Sequence, residues 1–160
     1  KQLERGHDGR LYTVERALRL GASIEDVYNA SKIDPWFIEQ IAWLIPPVAD
    51  IKDRHGIGRG NIVGHSDVAP ARKEDPGELF PWEALARYRL ALPSPTRDLI
   101  DPFWTDAAFL LALERFGYDV TDEQKAVIAF QRRFRPDMID GIVDGECRAK
   151  LLSLLLPRPQ

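Results

Sequence analysis

Residues 23–45 read SIEDVYNASKIDPWFIEQIAWLI, and two helix starts lie within this stretch. Ser23 stands where an N-cap is expected, because its hydroxyl can accept a hydrogen bond from a backbone N–H of the first turn. Asp34 followed by Pro35 marks the second start, since a carboxylate caps the helix and proline suits its first position. The stretch therefore predicts a short helix over 24–30 and a longer one from Pro35, which is the pattern of a mainly α protein.

Helical patterns continue on both sides of this stretch. Pro46-Pro47 is expected to kink or break the longer helix, because proline removes a hydrogen-bond donor. A strand signal is confined to Ile62-Val63, which is too short to form a sheet. The other segments predicted to be helical are 11–20, 48–54, 81–90, 105–116, a helix opened by a capping box at 121–124, and a last helix capped by Asp144.

The composition excludes several classes of protein. Of the 160 residues 44% are hydrophobic and 29% are charged, and the formal net charge is −3, which is the balance of a globular domain without a basic face for nucleic acid. The densest basic cluster, Arg132, Arg133 and Arg135, is predicted to be a solvated helix end. Cys147 is the only cysteine, so no internal disulfide is expected. No segment approaches the ~18 apolar residues that span a bilayer, and no signal peptide is predicted, so the residues leave localisation open.

The N-terminal stretch resembles one family. RALRLGAS (16–23) followed by SIEDVYNASKIDPWFIEQI (23–41) is similar to the oligomerisation domain of the carbamoyl phosphate synthase large chain, with KIDPWF (32–37) as its most specific part. The resemblance implies a helical scaffold for residues 1–40. It implies no ATP site, because that family's ATP-grasp sites lie elsewhere and no Gly-rich phosphate loop is present here.

The rest of the chain resembles a different family. NIVGHSDVAPARKEDPGELFPW (61–82) is similar to the zinc-dependent N-acetylmuramoyl-L-alanine amidases, which cut the stem peptide from the sugar chain of peptidoglycan, although Ala71 stands where glycine is usual. Residues 41–91 are therefore predicted to be the C-terminal remnant of an amidase domain. Residues 103–160 resemble the three-helix peptidoglycan-binding module often attached to such amidases, on the motifs FGYDV, AFQRRFRP and DGIVDGE, and the Pro-rich segment 92–102 is predicted to be a linker.

The two resemblances meet near residues 39–41, inside one predicted helix. A recombinant, engineered or selected chimera explains this seam better than ordinary descent. The fold predicted from the whole sequence is mainly α, with a helical N-terminal segment, a truncated amidase remnant and a C-terminal three-helix module.

The amidase resemblance also implies a zinc site. A catalytic zinc needs three protein ligands and an open position for water. The family's late histidine and aspartate ligands match His65 and Asp75, and its lysine that stabilises charge on the attacked carbonyl matches Lys73. The early histidine and the general-base glutamate belong to the half of the amidase domain without a counterpart in this chain. His7 is the predicted third ligand, with Asp8 or Asp67 as an additional donor. The alternatives are His55 as the third ligand, a dimer that pools two half-sites, or His65 and Asp75 as unliganded relics on a loop.

Three functions remain open from the sequence. The chain is expected to bind peptidoglycan without efficient catalysis, to be a zinc-dependent hydrolase with a rebuilt or dimer-shared site, or to be a folded chimera without native function. Its tryptophans, Trp36, Trp43, Trp82 and Trp104, are predicted to be core residues, with stacking of Trp104 on a glycan as an alternative. A homodimer through exposed Trp36 and Phe37 is a further expectation. The amidase parent suggests the periplasm or cell envelope.

Overall fold

The computed structural model describes the backbone of residues 10–156, without the side chains of residues 10–12, 15, 19, 40–42, 44 and 45. Within this range every regular element is helical, which confirms the predicted mainly α fold. The helices are α1 (Arg10–Arg19), α2 (Ile24–Ser31), α3 (Pro35–His55), a 3-10 helix (Arg59–Asn61), α4 (His65–Val68), α5 (Trp82–Arg87), α6 (Asp106–Phe116), α7 (Glu123–Phe134) and α8 (Gly145–Leu155).

The chain folds as two compact units. The first unit contains the chain up to Ile62 together with Pro81–Leu92, and the second unit contains Val63–Phe80 together with the chain from Pro93 onward. The sequence predicted as the amidase remnant is thus divided between the two units. None of the described helices is both long and apolar enough to cross a membrane.

The helix starts in the first unit follow the predicted capping chemistry. The Ser23 hydroxyl accepts a hydrogen bond of 3.0 Å from the Asp26 amide, and Asp26 accepts one of 3.1 Å from the Ser23 amide in return. Asp34 caps α3 by accepting a hydrogen bond of 2.9 Å from the Trp36 amide, with Pro35 at the first helical position. Both predicted starts are confirmed.

Helix α3 continues through Pro46 and Pro47 as a single element, so the prolines do not break it and residues 48–54 continue the helix. Each proline removes one backbone donor, but its fixed φ is compatible with a helix. Both prolines and the preceding Trp43 are exposed, so water can bind carbonyls that lose an intrahelical partner. The helix ends only at Gly56, which caps it with a φ of 62°.

The core of the first unit is formed by fully buried Val14, Val27 and Ile38, one from each of α1, α2 and α3. Helix α5 packs against α1, and its Trp82 is buried as predicted. Trp36 and Trp43, in contrast, are 58% and 74% exposed, so the prediction that they are core residues is wrong. They are seven residues apart on α3 and share a face that does not include Ile38.

Ile62-Val63 is not a strand. Ile62 follows the 3-10 helix in an extended conformation, and no partner strand is present among residues 10–156. A strand needs a neighbour for its backbone hydrogen bonds, and two residues do not provide a ladder.

The second unit is built around aromatic side chains from α6, from α7 and from the turn between them. Phe109, Phe130 and Phe134 are buried, and the Phe130 ring lies 5.7 Å from Phe109 and 5.2 Å from Phe134 between centroids. The Tyr118 ring lies 6.2 Å from Phe130 in an edge-on arrangement. Such ring geometry adds to the stabilisation that comes from burying apolar area.

The predicted capping box at 121–124 is wrong, because the N-cap of α7 is Asp122 and not Thr121. Its carboxylate accepts a hydrogen bond of 3.1 Å from the Lys125 amide. The Thr121 hydroxyl instead donates to Asp119 at 2.6 Å. The predicted cap of α8 is confirmed, since Asp144 accepts a hydrogen bond of 2.9 Å from the Cys147 amide.

Two buried side chains at the end of α7 fix the turn that leads to α8. Gln131 is fully buried, donates to Asp140 Oδ1 at 2.8 Å and accepts from the Gly141 amide at 2.8 Å. Arg135 is 3% exposed and pairs with both Asp140 and Asp144. The prediction of a solvated helix end is therefore wrong for Arg135, and the motif residues that carry the family resemblance have a structural role.

The segment predicted as a linker is attached to the second unit. Lys150 is buried and donates to the Pro95 carbonyl at 2.9 Å and to Ser94 Oγ at 3.2 Å. The Asp101 carboxylate receives two hydrogen bonds from Arg148, of 2.8 Å and 2.7 Å. These contacts hold the segment against α8 at both of its ends.

Candidate metal centre

The segment 63–80 is fixed within the second unit by Asp67, whose side chain is buried. Its Oδ1 accepts a hydrogen bond of 2.6 Å from the Tyr118 hydroxyl, and its Oδ2 accepts one of 2.7 Å from the Gly64 amide. Oδ2 also forms an ion pair with the guanidinium of Arg133, which is equally buried. These bonds hold α4 against α7.

The Tyr118 hydroxyl is the donor to this carboxylate. Burial raises the pKa of Tyr118 well above its ordinary value, and the negative charge of Asp67 adds to the effect, so the phenol stays a hydrogen-bond donor. Asp67 was predicted as an additional metal donor, but its carboxylate binds Tyr118, Gly64 and Arg133 instead. The burial of Arg133 also corrects the prediction that it lies on a solvated helix end.

His65 and Asp75 face each other at the start of α4. His65 Nδ1 lies 2.5 Å from Asp75 Oδ2, and the Ser66 amide donates to the Asp75 carbonyl at 2.8 Å. Their side chains are 73% and 61% exposed, so the pair is open to solvent. The hydrogen bond from His65 holds the pKa of Asp75 below its ordinary value, and the charge of Lys73 contributes to the lowering. A carboxylate binds a metal in its deprotonated form, and this contact favours that form of Asp75.

Lys73 lies in the turn between these two residues and is exposed. Its amide donates to the Ala69 carbonyl at 3.0 Å. The structure thus brings His65, Asp75 and Lys73 into one segment, and their roles in metal binding and catalysis stay predictions. His7 and Asp8 lie outside the described residues. His55 is an exposed residue at the end of α3 in the first unit.

The donor set does not fit a catalytic zinc. Such a site takes three protein ligands and leaves a fourth position for water. Within the described range, no group of three or more His, Cys, Asp or Glu side chains could hold a metal ion. His65 and Asp75 supply two donors, so no catalytic step can be derived through zinc at this pair.

The comparisons with known proteins fall into two classes. Residues 1–62 match the family model described as carbamoyl-phosphate synthetase large chain, oligomerisation domain. Much of the chain is also homologous to N-acetylmuramoyl-L-alanine amidases, on both sequence and structure. The chain therefore combines sequence related to two different families, which confirms the predicted chimera.

Two amidases are similar to most of the chain. N-acetylmuramoyl-L-alanine amidase AmiD of Escherichia coli K12 is 38% identical over 136 residues, which cover 76% of this chain and 49% of that protein. The structure of AmiD from E. coli in complex with the substrate anhydro-N-acetylmuramic acid-L-Ala-D-gamma-Glu-L-Lys superposes with a TM-score of 0.65 at 37% identity, covering 72% of this chain and 51% of that one. AmpDh3 from Pseudomonas aeruginosa superposes with a TM-score of 0.60 at 30% identity over the same shares.

The carbamoyl phosphate synthase matches cover less of their relatives. The large chain from Mycobacterium sp. strain JLS is 56% identical over 79 residues, which cover 45% of this chain and 7% of that protein. The chain thus spans about half the length of the amidase relatives and a small part of the synthase.

Proposed function

We propose that the chain binds peptidoglycan through its second unit and does not catalyse its hydrolysis efficiently. The observation that carries the proposal is a contrast within this unit. Its helical core and turn are fully built around Phe130 and Gln131, whereas its metal centre offers two donors. A binding module needs only the folded core and turn, whereas a zinc hydrolase needs a complete set of zinc ligands.

The choice of ligand is supported by the amidase relative. AmiD from E. coli was solved with a substrate that joins an anhydro sugar to a stem peptide. This chain shares 37% identity with that structure over 72% of its own length. Peptidoglycan fragments of this class are therefore the ligand that we assign to the second unit.

The wall-binding surface in this proposal is the loop before α6. Phe103 is 86% exposed and Ile100 is 72% exposed. Phe103 has a φ of 54°, which is rare for a residue with a side chain, and its amide donates to Asp101 at 2.8 Å. Asp101 is in turn held by both hydrogen bonds from Arg148. Backbone held in such a conformation is frequent at ligand sites, and an exposed aromatic ring can stack on a sugar face.

The test is sedimentation of the purified chain with isolated, protein-free peptidoglycan sacculi. The proposal expects the chain in the pellet, with binding that saturates and that soluble peptidoglycan fragments compete away. Chelation of metals is not expected to release it, because the proposed contact is made by the apolar side chains of Ile100 and Phe103. A chain that stays in the supernatant at every sacculus concentration would overturn the proposal.

Replacement of the exposed ring should weaken this binding. Phe103→Gly is expected to raise the Kd for sacculi by about 10-fold or more, which is the usual effect of losing a central aromatic contact. Glycine adopts a positive φ without strain, so the thermal melting temperature should not fall sharply. Leu111→Ala, at a 59% exposed position of α6, is the control and should bind as the parent does. If Phe103→Gly bound sacculi as tightly as Leu111→Ala does, the loop before α6 would not be the binding surface.

A zinc-dependent hydrolase is the second candidate, and the direct pairing of His65 with Asp75 favours it. This candidate expects metal-dependent release of stem peptides that His65→Ala abolishes. A chain that neither sediments with sacculi nor binds zinc would instead support a folded chimera without native function.

A further inference from the structure

We propose that the second unit binds the glycan strands of peptidoglycan and not their stem peptides. We place the strand across two segments, the loop before α6 (residues 98–105) and the turn before α8 (residues 136–144). This inference rests on the proposed function, because it names the part of peptidoglycan that the loop contacts. It adds one side chain to that surface, Ile142 of the turn, which is 62% exposed.

One arginine of α8 joins the loop to the turn. Arg148 donates two hydrogen bonds to Asp101, of 2.8 Å and 2.7 Å, and a third of 3.3 Å to the Val143 carbonyl. The loop also lies close to the start of α8, since a Cβ added to Gly145 would be 2.8 Å from Asp101 Oδ2. The loop and the turn are therefore neighbouring segments of one surface.

Both segments carry an exposed apolar side chain on a backbone that is held in place. The Phe103 amide donates to Asp101 at 2.8 Å. The Ile142 carbonyl accepts a hydrogen bond of 3.0 Å from Gln131, and the Ile142 amide donates one of 3.0 Å to Asp140. A surface that is already ordered loses little conformational freedom when it binds a ligand.

The charges of the two segments favour an uncharged ligand. Arg148 is paired with Asp101, and Arg135 is paired with Asp140 and Asp144. A stem peptide such as L-Ala-D-γ-Glu-L-Lys brings two carboxylates, and either arginine could bind them only by losing a pair that holds the loop or the turn. N-acetylglucosamine brings no charge, and the C–H face of its ring packs against aromatic and aliphatic side chains. The glycan therefore fits this surface without breaking an ion pair.

Two contact points predict that the length of the glycan matters. A single sugar contacts Phe103 or Ile142, whereas an oligosaccharide contacts both. The second contact of the oligosaccharide is intramolecular, so it forms at a high effective concentration. A hexamer of N-acetylglucosamine is therefore expected to bind about 10-fold or more tightly than the monomer.

Competition during sedimentation with sacculi tests the choice between sugar and peptide. The full chain is first bound to sacculi, and the N-acetylglucosamine hexamer, the monomer or N-acetylated L-Ala-D-γ-Glu-L-Lys is then added in increasing amounts. We expect the hexamer to release the chain, the monomer to require a concentration about 10-fold higher or more, and the peptide to release none. Sodium chloride at about 0.5 M should leave the bound fraction unchanged, because salt does not screen contact with an uncharged sugar.

Ile142→Ser tests the contact on the turn. The variant should raise the Kd for the hexamer by about 5-fold or more, because it removes one of the two apolar contacts. Val68→Ser removes a similar side chain at a 59% exposed position of α4, so it is the matched control and should bind the hexamer as the parent does. Both variants should keep the thermal melting temperature of the parent, because each lost side chain is exposed.

The outcomes separate this inference from the proposed function. Release by the peptide and not by the hexamer, or release by salt, would overturn the choice of glycan while binding to peptidoglycan stands. Equal affinity of Ile142→Ser and Val68→Ser for the hexamer would overturn the placement of the strand across the turn. A chain that does not sediment with sacculi at all would overturn the proposed function, and this inference with it.

Discussion

Asp67→Asn is expected to lower the free energy of unfolding of the second unit by about 3–5 kcal/mol, because removing one charge of a buried ion pair is strongly destabilising. Arg133 and Asp67 side chains are each 4% exposed, so solvent cannot replace the lost carboxylate charge. The amide also weakens the bonds from Tyr118 and Gly64, which a charged acceptor makes strong.

Urea unfolding followed by circular dichroism measures this effect. Asp137→Asn changes the same chemical group at an exposed position and is the matched control, with an expected change within about 0.5 kcal/mol. A double replacement, Asp67→Leu with Arg133→Met, should recover part of the loss, since apolar residues can substitute for a buried pair. If Asp67→Asn were as stable as the control, the anchor of the His65 turn would not be as described.

Phe130→Ala should destabilise the second unit by a similar amount, about 3–5 kcal/mol, through lost burial and the cavity that remains. The ring is fully buried and contacts Phe109, Phe134 and Tyr118. Removal of the Phe130 ring therefore leaves a cavity beside all three of these aromatic rings.

Thermal unfolding with Leu111→Ala as the control measures this second change. Leu111 lies on α6 and is 59% exposed, so its truncation should cost little. Because the proposed wall-binding loop is attached to this core through Asp101 and Arg148, Phe130→Ala should also lose sedimentation with sacculi at temperatures where it unfolds. A small, equal effect of both variants would contradict the placement of the core.

Helix starts could be predicted from the sequence because their causes are local. Ser23, Asp34 and Asp144 cap the helices that follow them, and each bond spans only two or three residues. The continuation of α3 through Pro46-Pro47 has a local cause as well, since exposure lets water replace the bonds that two prolines remove.

The anchor of the turn that carries His65 could not be predicted, because its partners are far apart in sequence. Tyr118 and Arg133 lie 51 and 66 residues from Asp67, and nothing in hydrophobic periodicity connects them. The same limit applies to Arg135 and Gln131, whose burial follows from the folded turn that they hold. The sequence indicated that His65 and Asp75 belong together only through the family resemblance.

Two zinc donors per chain should not support efficient hydrolysis, and release of stem peptides from sacculi in excess zinc is the most direct test. With mass spectrometry as the readout, we predict that the chain sediments with the wall and releases peptides no faster than His65→Ala does. Chelator-sensitive release by the parent chain that His65→Ala abolishes would contradict it.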